Sequence, residues 1–259
     1  MAAVASATTT VLVRRVVNRC ATLPFGTFAL LCDGVMRHRL GTLILVIGLG
    51  VLAWSATVYL WQDPFTTVYT AYEQRKLERN LDQQFERWVA DPKPVKRGGT
   101  TTPPVDVRQE ARQYRLASDE GAALARLEIP RLGLNAVVVN GTSSPDLRRG
   151  PGRHLETSMP GEGRLVYIAG HRTTYGAPFS DIDKLRRGDR ILLELPYASM
   201  EYRVTGHRIV DDNDLSVLES RGREELVLQA CHPRFFASQR YLVDARPIRV
   251  TEKRAAAKS

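Results

Sequence analysis

The chain has 259 residues, room for one large domain or two small ones, and 43% hydrophobic with 25% charged residues is an ordinary composition for a folded protein. Its formal net charge of +9 suits an anionic partner such as nucleic acid or a lipid surface. No stretch interleaves arginine with aromatics as a single-strand groove would, and part of the excess (Arg14, Arg15, Arg19, Arg37, Arg39) precedes an apolar segment. The charge is therefore read as membrane topology, with no nucleic acid as partner.

Residues 1–39 read as a cytoplasmic N-terminal segment; its apolar stretches Val11–Val17 and Phe25–Leu31 are too short to span a bilayer. Leu40 to Trp61 carries no charged side chain, and a helix of that length crosses a hydrocarbon core of about 30 Å. Arg37 and Arg39 flank the near side, Asp63 and Glu73 lie on the far side, and Trp54, Tyr59 and Trp61 sit toward the outer end. This pattern predicts a single-pass anchor over 40–62, N-terminus inside and the bulk of the chain outside. The segment begins late, is long and lacks an A-x-A site directly after it, so it reads as retained rather than cleaved.

Residues 63–122 read as a juxtamembrane helix and a linker. Leu77, Leu81, Phe85 and Trp88 recur at helical spacing within Tyr69–Val89, the stripe of a helix that packs on a surface. Asp91 to Pro104, rich in proline and glycine, reads as a semi-stiff connector that lets the following domain reach outward. From Ala123 the texture changes to short β-type runs: Leu127–Ile129, Ala136–Val139, Leu165–Ala169, Arg190–Leu195, Met200–Val204, Leu226–Ala230 and Tyr241–Val250. Many short strands at this spacing predict an all-β domain over 123–251, a closed barrel or a sandwich. A polar tail, 252–259, follows.

Of three cysteines, Cys20 and Cys32 precede the apolar segment and Cys231 lies far beyond it, so a spanning segment keeps Cys231 from pairing with either. No Cys/His cluster has zinc spacing. Cys231 ends an apolar run in Leu-Val-Leu-Gln-Ala-Cys-His-Pro; His171 follows another in Ile-Ala-Gly-His-Arg; Arg240 opens the next strand. If those strand ends meet, a thiolate nucleophile, an imidazole able to give and take a proton, and a guanidinium able to hold an oxyanion share one cleft. Taken singly, each has a plainer reading: a buried inert thiol, a satisfied loop histidine, a solvated arginine.

Together these motifs resemble the sortase catalytic domain. The likeness runs through Leu127-Glu128-Ile129-Pro130-Arg131-Leu132-Gly133-Leu134, Val139-Asn140-Gly141, Met159-Pro160-Gly161-Glu162-Gly163, Ile168-Ala169-Gly170-His171-Arg172, Gly188-Asp189, Leu228-Gln229-Ala230-Cys231, Pro233 and Arg240. Gly-His-Arg-Thr-Thr-Tyr-Gly from Gly170 and Cys-His-Pro-Arg-Phe from Cys231 resemble class E, the housekeeping type of GC-rich actinobacteria. Ala230 stands where the family usually has Thr, and Gly163-Arg164 where it usually has Gly-Asn. Asp63-Pro64-Phe65 is similar to the lid motif of pilin-polymerising members.

The resemblance implies an eight-stranded β-barrel with short helices, with Cys231 as nucleophile, His171 as acid and base and Arg240 as oxyanion stabiliser. It further implies cleavage of a Leu-Ala-x-Thr-Gly or Leu-Pro-x-Thr-Gly sorting signal between Thr and Gly through a thioester. The secreted protein is then joined to a cell-wall amine of lipid II type. No metal or organic cofactor is implied; Asp211, Asp212 and Asp214 read as a solvated turn rather than a calcium site. Pilin polymerisation, simple hydrolysis by a cysteine protease and an inactive envelope scaffold are the alternatives.

Overall fold

The computed structural model describes residues 25–61, 64–90 and 106–253, with the side chains of 38–57, 65–88 and 106–253. The expectations for residues 1–24, for Asp91–Pro104, for Asp63 and for the tail beyond 253 lie outside these. The chain divides into two compact units, one through Leu60 and one from Trp61.

Among the described residues of the first unit there is one helix, α1 (Phe25–Trp61), which begins well before the uncharged stretch at Leu40. Its segment His38–Thr57 is long and apolar enough to cross a membrane, with a mean hydropathy of 2.0. A helix is the form this stretch can take there because it satisfies every backbone donor and acceptor within itself.

The second unit is an eight-stranded closed barrel. The strands are β1 (Ala123–Ile129), β2 (Leu134–Asn140), β3 (Gly152–Arg153), β4 (Leu165–Ala169), β5 (Arg190–Glu194), β6 (Ala198–Asp211), β7 (Glu225–His232) and β8 (Gln239–Glu252). They close in the order β1-β2-β3-β4-β7-β8-β6-β5, and antiparallel pairing of β5 with β1 completes the ring. The all-β barrel expected from the sequence is the fold observed. Elements beyond the predicted runs include two-residue β3, α3 (Val107–Ala117) and α4 (Ser144–Arg149). β6 and β8 are also longer than predicted, 14 residues each, because they pair with one another along nearly their whole length.

Alternation sorts each strand's side chains between two faces. Val166 and Ile168 of β4, Leu226, Leu228 and Ala230 of β7, and Val243 and Ala245 of β8 fill the interior. Leu165, Tyr167, Val227 and Leu242 point outward, beneath Val217 and Leu218 of the connection from β6 to β7.

Helix α2 (Pro64–Ala90) uses the stripe seen in the sequence: Leu77 and Leu81 are fully buried against Ala123, Val137 and Val139, flanked by Phe85. Each such leucine contributes about 1.5–3 kcal/mol of burial. α3 presents Val107, Ala111 and Tyr114 to the main core, is capped by Asp106, whose Oδ1 accepts from Arg108 N at 3.1 Å, and anchors through Tyr114 OH to Leu124 O at 2.8 Å. Both helices thus pack on the barrel.

Gln74 of α2 acts as a fragment of strand. Its Oε1 accepts from Val137 N at 2.7 Å, and its Nε2 donates to Val137 O at 3.0 Å and Arg149 O at 2.7 Å. It completes the side of β2 that β3, paired only at Val139 and Asn140, does not reach. Gln74→Ala leaves buried backbone groups unpaired and is expected to cost about 2–3 kcal/mol, read as a lower midpoint in chemical denaturation. Gln74→Glu, which keeps the acceptor and loses the donor, should fall in the same direction.

Candidate active site

β4 and β7 are parallel neighbours, with Ala169 opposite Gln229, and Gly170 N–H donates to Gln229 O at 2.9 Å. His171 comes two residues after Ala169, as Cys231 comes two after Gln229. Across the next ladder, antiparallel β7 and β8 place Cys231 directly opposite Arg240. Cys231 and Arg240 thus share one row across β7 and β8, and His171 follows the end of β4, the strand on the other side of β7. Because Ala230 points into the barrel, Cys231 points out, on the face of Val227; Arg240 shares the outward face of Leu242. Directly opposed residues have Cβ atoms about 4.5–5.5 Å apart. Cys231 is a free thiol and partly exposed.

Gly170 is required where β4 hands over to the loop: a Cβ there would approach Cδ2 of buried Phe179 to 2.6 Å. The loop then doubles back, Phe179 N–H donating to His171 O at 3.1 Å. Tyr175 and Ala177 in this loop, and Phe235 and Ala237 in the turn between β7 and β8, have positive φ. Left-handed conformations at non-glycine residues cost roughly 1 kcal/mol or more each, and here they fall on the two segments bordering the row.

The His171 ring lies 5.1 Å from the Tyr175 ring. Burial, and secondarily the charge of Arg148, holds its pKa below the ordinary imidazole value. Arg148 is placed by its guanidinium, 5.7 Å from the Tyr175 ring centroid. A depressed folded pKa shifts the balance toward the neutral ring: the associated stability is present above the unfolded value and is lost as pH falls through the folded one. Arg148→Ala removes the like charge, so the His171 titration midpoint, followed by NMR, is expected to rise.

Arg240 is held by its own turn. Its Nη1 donates to Ala237 O at 2.7 Å and Gln239 O at 2.9 Å, and its Nη2 lies 3.9 Å from Asp212 Oδ2. Outward-facing Tyr167 has its phenol pushed up to about 12 by burial, against the pull of Arg208 and Arg240. Asp212 thus faces Arg240 and Asp214 caps the turn at Leu215–Leu218 through Ser216 N. Among the described residues no cluster of three or more His, Cys, Asp or Glu is arranged to hold a metal.

Arg172 was not singled out by the sequence. It is 5% exposed; Nη1 donates to Cys231 O at 3.3 Å and lies 2.9 Å from His232 Nδ1, and Nη2 pairs with Asp183 at 3.0 Å. Its guanidinium sits 5.5 Å from the Tyr241 ring centroid. It ties the end of β7 to the loop that carries His171. An arginine in a loop is ordinarily solvated, and only its place directly after His171 hinted otherwise. His232 takes the opposite face from Cys231, beside Arg172 and Tyr241.

The family model described as "Sortase domain" matches residues 127–248. The chain is 30% identical over 162 residues to Sortase D of Bacillus subtilis, covering 61% of this chain and 79% of that protein. It is also 30% identical over 141 residues to Sortase SrtE1 of Streptomyces coelicolor, covering 48% of this chain but only 40% of that longer protein. Among solved structures, the SrtF sortase from Corynebacterium diphtheriae superposes with a TM-score of 0.51 at 25% identity, covering 63% of this chain and 97% of that one.

Proposed function

The chain belongs to the sortase family of cysteine transpeptidases, and on that premise we propose that Cys231, His171 and Arg240 are its catalytic residues and that it joins secreted proteins to the cell envelope. The thiolate of Cys231 attacks the carbonyl of the threonine in a Leu-Ala-x-Thr-Gly or Leu-Pro-x-Thr-Gly signal. Arg240 stabilises the resulting oxyanion. His171 gives its proton to the departing glycine amine as the C–N bond breaks, leaving a thioester on Cys231. An amine of a peptidoglycan precursor of lipid II type then attacks; His171 takes its proton, the C–S bond breaks, and a new amide forms.

The observation that supports this reading is the meeting of strand ends: Cys231 lies opposite Arg240 on the β7–β8 ladder, and His171 comes two residues after Ala169, the last residue of β4 paired with β7. α1 supports a single-pass anchor, with Arg37 and Arg39 retained in the cytoplasm and the barrel outside. Enzyme and substrate held at one bilayer surface meet at raised effective concentration. The class E motifs and the Streptomyces relative favour a housekeeping role; the Bacillus Sortase D likeness covers more of the chain.

One observation favours a second reading, pilin polymerisation. Thr66, just after Asp63-Pro64-Phe65, accepts from Tyr175 N at 2.9 Å, so the start of α2 lies against the His171 loop despite its distance in sequence. Lysine ε-amines would then be the acceptor. The test uses the full chain in detergent with both signal peptides, offering oligoglycine, diaminopimelate or a lysine peptide, with products identified by mass. An amide with one of the first two amines is expected; an amide formed only with lysine gives the polymerase reading, and a carboxylate alone, whatever amine is present, gives a hydrolytic protease.

A further inference from the structure

The far end of the barrel carries a second charged feature. A cleft of about 590 Å³ opens beside α3 and the segment leading into β4, whereas His171 follows the opposite end of that strand. Arg108, Arg112 and Arg115 enter it from α3 at spacings of four and three, one helix face, and Arg164 enters from the turn before β4. Arg115 is neutralised by Glu162, 2.7 Å away. Arg108, Arg112 and Arg164 have no ion-pair partner among the described residues. Like charges four apart on a helix repel, and the Arg108 guanidinium also lies against the backbone beside Arg164: a Cβ on Gly163 would come within 2.8 Å of its Nη2.

Below the cleft lies Arg153, only 2% exposed. Its donors meet neutral acceptors: Asn140 Oδ1 at 3.1 and 2.7 Å, His154 O at 3.2 Å, and the carbonyl of Thr157, a residue of the cleft wall. Burial, with the charge of Arg115 next, lowers its pKa to about 10. The charge of Glu162 offsets part of this, but that carboxylate is paired with Arg115, and a buried cation whose direct partners are all neutral is costly unless further negative charge approaches it. The carboxylates of the cleft are mostly engaged: Asp106 caps α3, and Glu162 holds Arg115 and Met159 N. Exposed Glu156 remains.

We propose that this cleft binds a phosphate group, gripped by Arg108, Arg112 and Arg164 above the buried Arg153. Planar guanidinium forks match phosphate oxygens in pairs, and a doubly charged group suits three converging arginines better than a single carboxylate does. The group belongs to an anionic lipid headgroup or to a soluble or polymer-borne phosphate. The site lies apart from Cys231 and does not depend on the catalytic assignment.

The test places the full chain in phosphatidylcholine nanodiscs and titrates inorganic pyrophosphate calorimetrically at constant ionic strength. Saturable binding is expected, weakened about tenfold or more in Arg112→Ala/Arg164→Ala. A control, Arg203→Ala/Arg246→Ala on the exposed faces of β6 and β8, should change it by no more than about twofold. Thermal melting checks that both variants fold, and the single Arg108→Gln variant, expected to weaken binding in the same direction, stands in should the double variant fail. Discs containing phosphatidylglycerol identify the source. A headgroup in the site lowers pyrophosphate affinity there and not in the double variant; unchanged affinity assigns a soluble or polymer phosphate. Absence of saturable binding, or equal loss in the cleft and control variants, would overturn the proposal.

Discussion

Cys231→Ala is expected to abolish transpeptidation while leaving the barrel folded. Within the proposed mechanism every bond change passes through the sulfur, so no slower route remains once it is removed; losses of a nucleophile of this kind run on the order of 10⁴-fold or more. The fold has little stake in the thiol. Cys231 sits at the partly exposed end of β7 on the outward face, while its neighbour Ala230 belongs to the core. Substitutions at such positions change stability by roughly half a kcal/mol, so the melting temperature should move by only a few degrees. Rates come from product mass and folding from thermal melting. A variant that melts normally yet still forms amide would remove Cys231 from the chemistry.

His171→Ala should lower the rate by about 10²–10⁴-fold, the range for loss of a general acid and base. His232→Ala is expected to leave a substantial rate. The contrast separates two histidines that sequence proximity would rank the other way, since His232 adjoins Cys231 and His171 is sixty positions away. Strand geometry supports the proposed order: His171 follows the end of β4, the parallel neighbour of β7, while strand alternation turns His232 to the far face from Cys231, toward Arg172 and Tyr241. Because His232 supports Arg172, its replacement should reduce stability modestly. If His232→Ala were the dead enzyme and His171→Ala the active one, the assignment of acid and base would be reversed.

The barrel was legible because its strands carry short apolar or alternating runs with turn residues between them; β4 and β7 could be read almost to the residue. The short pieces were not. β3 has two residues, too few for any period, and exists because β2 and β4 need a neighbour there. α3 offers only Val107, Ala111 and Tyr114 as apolar contacts among polar residues, and it follows a proline- and glycine-rich stretch, so its face emerges only against the core. Gln74 was unreadable for a different reason. Its partner is the backbone of Val137, and side-chain pairing with a distant main chain leaves no pattern in a sequence. At the site, residue type and position at strand ends were weak signals for Cys231, His171 and Arg240 taken singly, and the resemblance of the motifs around them to the sortase domain is what singled them out. Arg172 was not singled out, because burial and its hold on Cys231 O are tertiary facts. Arg148 acts on His171 through space, from α4.

The most direct measurement is the intact mass of the full chain after brief exposure to a Leu-Ala-x-Thr-Gly peptide with no amine present, followed by mapping of the adduct. Expected is one hydroxylamine-labile acyl group, ending at the peptide's threonine, on Cys231 in the native chain and in His232→Ala, and none in Cys231→Ala. An adduct that persists in Cys231→Ala, or that maps to Cys20 or Cys32, would contradict it.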